Sequence, residues 1–205
     1  MPTIVRMDDI ILKQGARILF PGHYEKLHDQ MPQYYQILCD AMLLSGMRPI
    51  EFERFEPSWY RGSRRVIQLP DDACLKERRK FKARAIRLSL PGCDAFDRLT
   101  TTTVKFKGRD IPVLEMRPKR VAFRDALIRY AKLAGIGTEG ISPKMFRKTL
   151  VSWLVEIWPE KQLQIQSSMG HDGETIVNNY LGLGFTKEMR DKIMEKYLND
   201  WGVLV

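Results

Sequence analysis

Apolar positions along this chain follow two different periods, and the switch between them divides it. Over residues 31–45 (MPQYYQILCDAMLLS), Tyr34, Leu38, Ala41 and Ser45 fall on one side of a helix. Pro32 suits a first turn, and Gly46 can close the end in the left-handed conformation. A second short helix is predicted to start near Pro49. The period then drops to two. RRVIQLP reads as a strand, and RAIRLSLP sets Ile86, Leu88 and Leu90 against Arg87 and Ser89, a strand with one wet face. TTTVKFKG is a candidate further strand, so a small antiparallel sheet is expected in this stretch.

Helical spacing then returns. VAFRDALIRYAKLAG places Phe123, Ala126, Leu127 and Tyr130 on one face and ends on Gly135. Ser142-Pro143 is a cap followed by a first-turn proline, with Phe146, Leu150, Trp153, Leu154 and Ile157 on an apolar face behind it. Residues 160–169 form another helix closed by Gly170, and residues 173–181 one more. Thr186 opens a last helix with Met189, Ile193, Met194 and Tyr197 on one side. This order predicts an α+β domain, mainly helical, with a small antiparallel sheet inserted after the first helices.

Length and composition narrow the setting. A chain of 205 residues with 44% apolar content can bury a core without a disulfide or metal staple. It holds no apolar run long enough to span a bilayer. Its opening residues, MPTIVRMDDIILKQG, make a poor signal peptide, so a cytoplasmic location is expected. The net charge of +9 and pI near 9.5 favour a polyanionic partner, nucleic acid before anionic membrane. Cys39, Cys74 and Cys93 are scattered, and His23 and His28 do not complete a ligand set, so reduced thiols and no metal site are expected.

Candidate chemistry lies in four islands. Arg48 stands in LLSGMRPIEF, just past a helix end. LKERRKFKARAIRLSL is strongly basic. Arg147 stands in ISPKMFRKTLVSWLVE, one turn into a helix. MGHDGETIVNNYLG holds His171 at a Gly-His turn and Tyr180 nine residues later. Each has an ordinary reading beside the chemical one. Arg48 at a helix C-terminus can simply complement the dipole, and a single Tyr180 on an amphipathic helix is more often core.

Taken in order, the islands resemble the catalytic domain of the tyrosine recombinases, the phage-integrase family, over about residues 30–184. The resemblance looks closest to the archaeal virus and provirus branch. Arg48 has the G-M-R-x-x-E context, Arg147 follows about a hundred residues later, M-G-H places His171 24 positions after Arg147, and Tyr180 follows. The resemblance implies a site-specific DNA recombinase or integrase that cuts double-stranded DNA through a 3′-phosphotyrosyl intermediate. Tyr180 would be the nucleophile, Arg48, Arg147 and His171 donors to the phosphate, and Glu51 a support for Arg48. Two arginines suit an anionic transition state, because each guanidinium is a planar fork of donors that stays charged.

A lysine on a hairpin turn would protonate the leaving 5′-hydroxyl. Lys80 fits first, with Lys82 and Lys76 behind it; the alternative is that Lys76, Arg78, Arg79, Lys82 and Arg84 all track phosphates with no single catalytic member. Lys148, beside Arg147, joins the expected DNA contacts. One departure stands out: Lys144 occupies the place of the family's usual histidine, which leaves the general base unassigned.

No cofactor is implied. The family's N-terminal DNA-clamping domain has no counterpart in the 30 or so residues before the first helix, so residues 1–184 are expected to form the catalytic domain alone. Residues 185–205 would be a C-terminal helix and tail that can dock on a neighbouring protomer. The expected assembly is a homo-oligomer, a tetramer on DNA and a monomer or weak oligomer when free. Type IB topoisomerase-like relaxation and a catalytically decayed DNA-binding module are the alternatives.

Overall fold

The computed structural model describes residues 4–7, 10–73, 83–170 and 183–202. The expected helix at 173–181 and the tail residues Val203, Leu204 and Val205 lie outside them. Eight helices are seen among the described residues: α1 Pro21–Asp29, α2 Gln33–Ser45, α3 Pro49–Glu53, α4 Leu90–Thr101, α5 Arg120–Leu133, α6 Lys144–Ile157, α7 Gln162–Met169 and α8 Lys187–Lys196. Three small antiparallel sheets accompany them. β1 Ile4–Met7, β2 Ile10–Lys13 and β3 Ala16–Ile18 form the first. β4 Tyr60–Arg61, β5 Val66–Leu69 and β6 Arg84–Arg87 form the second, and β7 Thr103–Phe106 with β8 Arg109–Pro112 the third. The α+β class with dominant helices is as the sequence predicts.

Helices α2 and α6 are the heart of the core. From Ile37 to Ser45, α2 is buried on nearly every side except at Asp40, because α4 and α6 pack on it from different directions. The single stripe expected from spacing is therefore too narrow. α6 buries everything from Met145 to Val155 except Lys148. Its far face docks on β3: Thr149 Oγ1 accepts the Leu19 N–H at 2.9 Å, and Trp153 Nε1 donates to the Leu19 carbonyl at 3.0 Å.

Three expectations about the strands change. RAIRLSLP does not stay extended: the strand stops at Arg87, and the Ser89 hydroxyl accepts the Gly92 N–H at 3.1 Å to cap α4. Ala95, Phe96 and Leu99 are that helix's buried face. TTTVKFKG does not join the β4–β6 sheet. Thr100 and Thr101 finish α4, their hydroxyls donating back to the carbonyls of Phe96 and Asp97, and β7 pairs only with β8. The N-terminal sheet was not foreseen. Lys13 pairs with Ala16 across a two-residue turn in which Gln14 (φ 46°) and Gly15 (φ 69°) both take positive φ, the geometry that matches strand twist in a tight hairpin.

The C-terminal segment packs on its own chain. Thr186 caps α8 by accepting the Met189 N–H at 3.2 Å, and Ile193 is buried. Beyond it, Ser89 Oγ donates to the Tyr197 carbonyl at 2.7 Å, and Trp201 Nε1 donates to the Arg87 carbonyl at 3.1 Å. Trp201 also stacks on Trp158, with ring centroids 5.9 Å apart.

Candidate active site

The site forms where two helices end and a third begins. Gly46 and Gly170 close α2 and α7 with φ of 60° and 61°. Glycine is favoured at both. A Cβ on Gly46 would stand 2.9 Å from Leu150 Cδ2 and Met169 Sδ, and one on Gly170 2.9 Å from Arg84 Cδ. These turns aim the last carbonyls of both helices at one place. The C-terminal end of a helix dipole attracts cations.

Arginines take up those carbonyls. Arg147, in the first turn of α6, donates from Nη1 to the Gly46 carbonyl at 2.8 Å and from Nη2 to the Met169 carbonyl. Arg48, at the N-cap of α3, donates from Nη2 to the Gly170 carbonyl at 3.2 Å. Two guanidinium groups from distant parts of the sequence thus meet at consecutive carbonyls. Arg147 is 8% exposed, whereas the Arg48 side chain is 21% exposed.

Glu51 holds this arrangement from below. It is the third residue of α3 and accepts the Arg48 backbone N–H at 2.7 Å, which fixes the helix start. Its other oxygen accepts Arg48 Nη1 at 2.7 Å. Arg84 Nη2 donates to both Glu51 oxygens, at 2.8 and 2.7 Å. Burial would push the Glu51 carboxyl up. The guanidiniums of Arg84 and Arg48 outweigh it and hold the group below its usual value, so it stays ionised at neutral pH. Arg117, which no sequence signal marked, anchors the far end of α3: its Nη1 donates to the carbonyls of Phe52 and Phe55 at 2.6 and 2.9 Å.

The remaining candidates sort by position. Lys144 begins α6, exposed, one turn ahead of Arg147 on the same side of the helix. Lys148 is seated elsewhere. One residue past Arg147 is about 100° further round the helix, and its amine donates to the Lys13 carbonyl and lies 3.3 Å from Gln14 Oε1. Arg84 turns inward, because it shares the buried face of β6 with Ile86 two residues on. Lys76, Arg78, Arg79, Lys80, Lys82, His171 and Tyr180 lie outside the described residues, as does Cys74. Among the described residues, no group of His, Cys, Asp and Glu is arranged to hold a metal ion.

Known proteins share this architecture. No protein-family model matches the chain, and no curated protein matches it in sequence. Solved structures do. The Tn1549 transposon integrase in complex with transposon right end DNA superposes with a TM-score of 0.59 at 16% identity, over 86% of this chain and 64% of that one. A lambda integrase dimer bound to a COC′ core site gives 0.57 at 13% identity, over 83% and 62%. The XerH site-specific recombinase bound to difH substrate gives 0.53 at 16% identity, over 80% and 50%. The chain thus spans less than two thirds of the length of each of these structures. At such identities the likeness is one of fold, and the fold of this chain is that of the tyrosine recombinase catalytic domain.

Proposed function

We propose that this chain is the catalytic domain of a site-specific DNA recombinase or integrase. The observation that carries the reading is the meeting of Arg48 and Arg147 at the carbonyls of Met169 and Gly170, immediately before His171 in sequence. A scissile phosphate at this place would receive donors from both guanidiniums, and negative charge growing on its non-bridging oxygens would be met by fixed positive charge. Lys144, one turn ahead of Arg147, is read as a further phosphate donor. The overall charge of +9 suits a DNA partner.

In the proposed step, the Tyr180 hydroxyl gives its proton to water, its oxygen attacks phosphorus, and the bond from phosphorus to the 5′ oxygen breaks. The leaving 5′ oxygen takes a proton from Lys80 and departs as a hydroxyl. The product is a 3′-phosphotyrosyl ester, and attack by a 5′-hydroxyl reverses the step and rejoins the strand. The bond energy is conserved in the ester, so neither ATP nor metal is required.

A nicked substrate that loses a short fragment on cleavage tests this reading. Wild type should become covalently attached to the DNA, and Tyr180→Phe should bind the DNA as well as wild type without attaching. Attachment by Tyr180→Phe would remove Tyr180 from its assigned role, and no attachment by wild type on a cognate site would overturn the reading as a whole.

A further inference from the structure

Arg84 lies in the strand that follows the basic stretch, and its sequence neighbours suggest a phosphate contact. The geometry points to a different role, one that rests on the function proposed above: Arg84 is a positioning residue that keeps the buried carboxylate of Glu51 from neutralising Arg48. The Arg84 side chain is 10% exposed and the Glu51 side chain 0%, so they meet away from solvent. One nitrogen, Nη2, reaches both Glu51 oxygens, and Nε donates to the Ser168 carbonyl at 3.3 Å. The aliphatic stem lies against Gly170, so close that a Cβ there would collide with Cδ. One side chain therefore holds two things together: the carboxylate under Arg48, and the final turn of α7, whose next carbonyl accepts Arg48 Nη2.

Charge counting gives this contact its consequence. Two guanidiniums share one carboxylate, so the cluster of Arg48, Glu51 and Arg84 keeps a net positive charge. Without Arg84, Glu51 has Arg48 as its one remaining guanidinium among these contacts. A planar carboxylate then takes the planar fork of Arg48 in a bidentate pair and draws it away from the Gly170 carbonyl. The field at the phosphate falls although no group that touches DNA is lost. The β6 backbone reinforces the link, since the Arg87 N–H donates to Ser168 Oγ at 2.9 Å.

The test compares Arg84→Ala and Arg84→Lys with wild type in two assays on the same nicked DNA. The first is the rate of covalent attachment at saturating DNA; the second is the dissociation constant and its dependence on salt. We expect Arg84→Ala to slow attachment by ten- to a hundredfold and Arg84→Lys to recover part of the rate; in an Arg48→Ala background, Arg84→Ala should leave affinity and salt slope unchanged. In a Glu51→Gln background, Arg84→Ala should add less than threefold. In the Arg48→Ala background, a salt slope reduced by about 1 more on Arg84→Ala, the mark of a phosphate contact made by Arg84 itself, would overturn the proposal, as would an unchanged attachment rate for Arg84→Ala alone. So would full additivity of the two substitutions, which would mean that Arg84 does not act through Glu51. The salt-slope comparison needs only binding, so it is decided even if Tyr180 does not attach to DNA and the wider reading fails. Thermal unfolding of each variant separates loss of fold from loss of positioning.

Discussion

Two regions of this molecule bury positive charge, and they do so in opposite ways. Around Glu51, the cations Arg48 and Arg84 share an ionised carboxylate, and Arg48 and Arg147 reach backbone carbonyls at the ends of α2 and α7. On the far side of α6, Lys13 and Lys148 meet between the N-terminal sheet and the helix, and Arg17 reaches the loop between α5 and α6. Arg17 donates to the carbonyls of Ile136 and Gly137, and Lys148 to that of Lys13. Here the cost of burial shows in the titration. Burial, then the neighbouring Lys148 charge, bring the Lys13 amine down to about 7. Burial and then Lys144 bring Lys148 to about 8. Burial also lowers Arg17, and Glu139 offsets this only in part. The first region pairs its cations with a carboxylate that stays ionised; in the second, the two lysine amines are brought close to neutral pH. Residue type and partner act together: guanidiniums stay charged of themselves and two of them share a carboxylate, whereas buried lysines beside like charges are driven toward neutrality.

The contrast is broken most severely at Glu51. Glu51→Ala leaves two buried guanidiniums without their carboxylate and should cost about 3–5 kcal/mol of stability, measured by urea unfolding. The same carboxylate sets an acid limit. Because its folded pKa lies below its ordinary value, its contribution is complete at neutral pH and is lost as pH falls through the folded pKa. Wild type should therefore lose stability on acidification below about pH 5 more steeply than Glu51→Gln.

Lys13 sharpens the comparison from the other side. Its folded pKa of about 7 lies below the ordinary lysine value of 10.5, so above pH 7 the unfolded chain binds more protons than the folded one. Stability from this group rises with pH across that window, and the penalty is fullest below pH 7. Lys13→Met should raise stability at pH 7 by about 1–3 kcal/mol and flatten the rise between pH 7 and 9, measured by urea unfolding at several pH values. A wild-type stability that does not change across this range would show that the amine is charged in the folded state.

The smallest effect is expected at Gly170. Alanine there must hold φ near 61° and meet Arg84 Cδ at 2.9 Å. Gly170→Ala should cost about 1–2 kcal/mol by thermal unfolding. Gly15→Ala has the same strain with open space around it and should cost about 1 kcal/mol. The difference between the two measures the close approach of Arg84.

Much of the scaffold was legible because local chemistry set it. Gly46 and Gly170 announced the ends of α2 and α7, and Thr186 the start of α8, each through a capping preference that needs no tertiary partner. α4 was legible too, in Ser89, Pro91 and the Ala95, Phe96 and Leu99 spacing, but the alternation of Ile86, Leu88 and Leu90 pointed the other way and ran straight through the cap. The Gln14-Gly15 turn is a hairpin signal of the same kind, but the strands beside it, three and four residues long, are too short to show a period. The inward turn of Arg84 and the seat of Lys148 were beyond reading. Which face of a strand or helix meets the core depends on partners 33 to 135 residues away, such as Glu51 and Lys13. Arg48 and Arg147 stand in motif contexts that resemble those of the tyrosine recombinases, whereas their meeting point, the carbonyls of Met169 and Gly170, has no sequence signature.

In the proposed reaction, Arg48 and Arg147 act on the negative charge of one phosphate. The direct measurement is the rate of covalent attachment by wild type, Arg48→Ala and Arg147→Ala on two nicked substrates, one with the natural phosphodiester and one with a methylphosphonate at the scissile position. On the phosphodiester each variant should be slowed about 100-fold or more. On the methylphosphonate, which lacks the charged non-bridging oxygen, the loss should shrink at least tenfold for one or both arginines. Equal losses on the two linkages would contradict the account, because they would mean that the arginines hold the fold and not the charge.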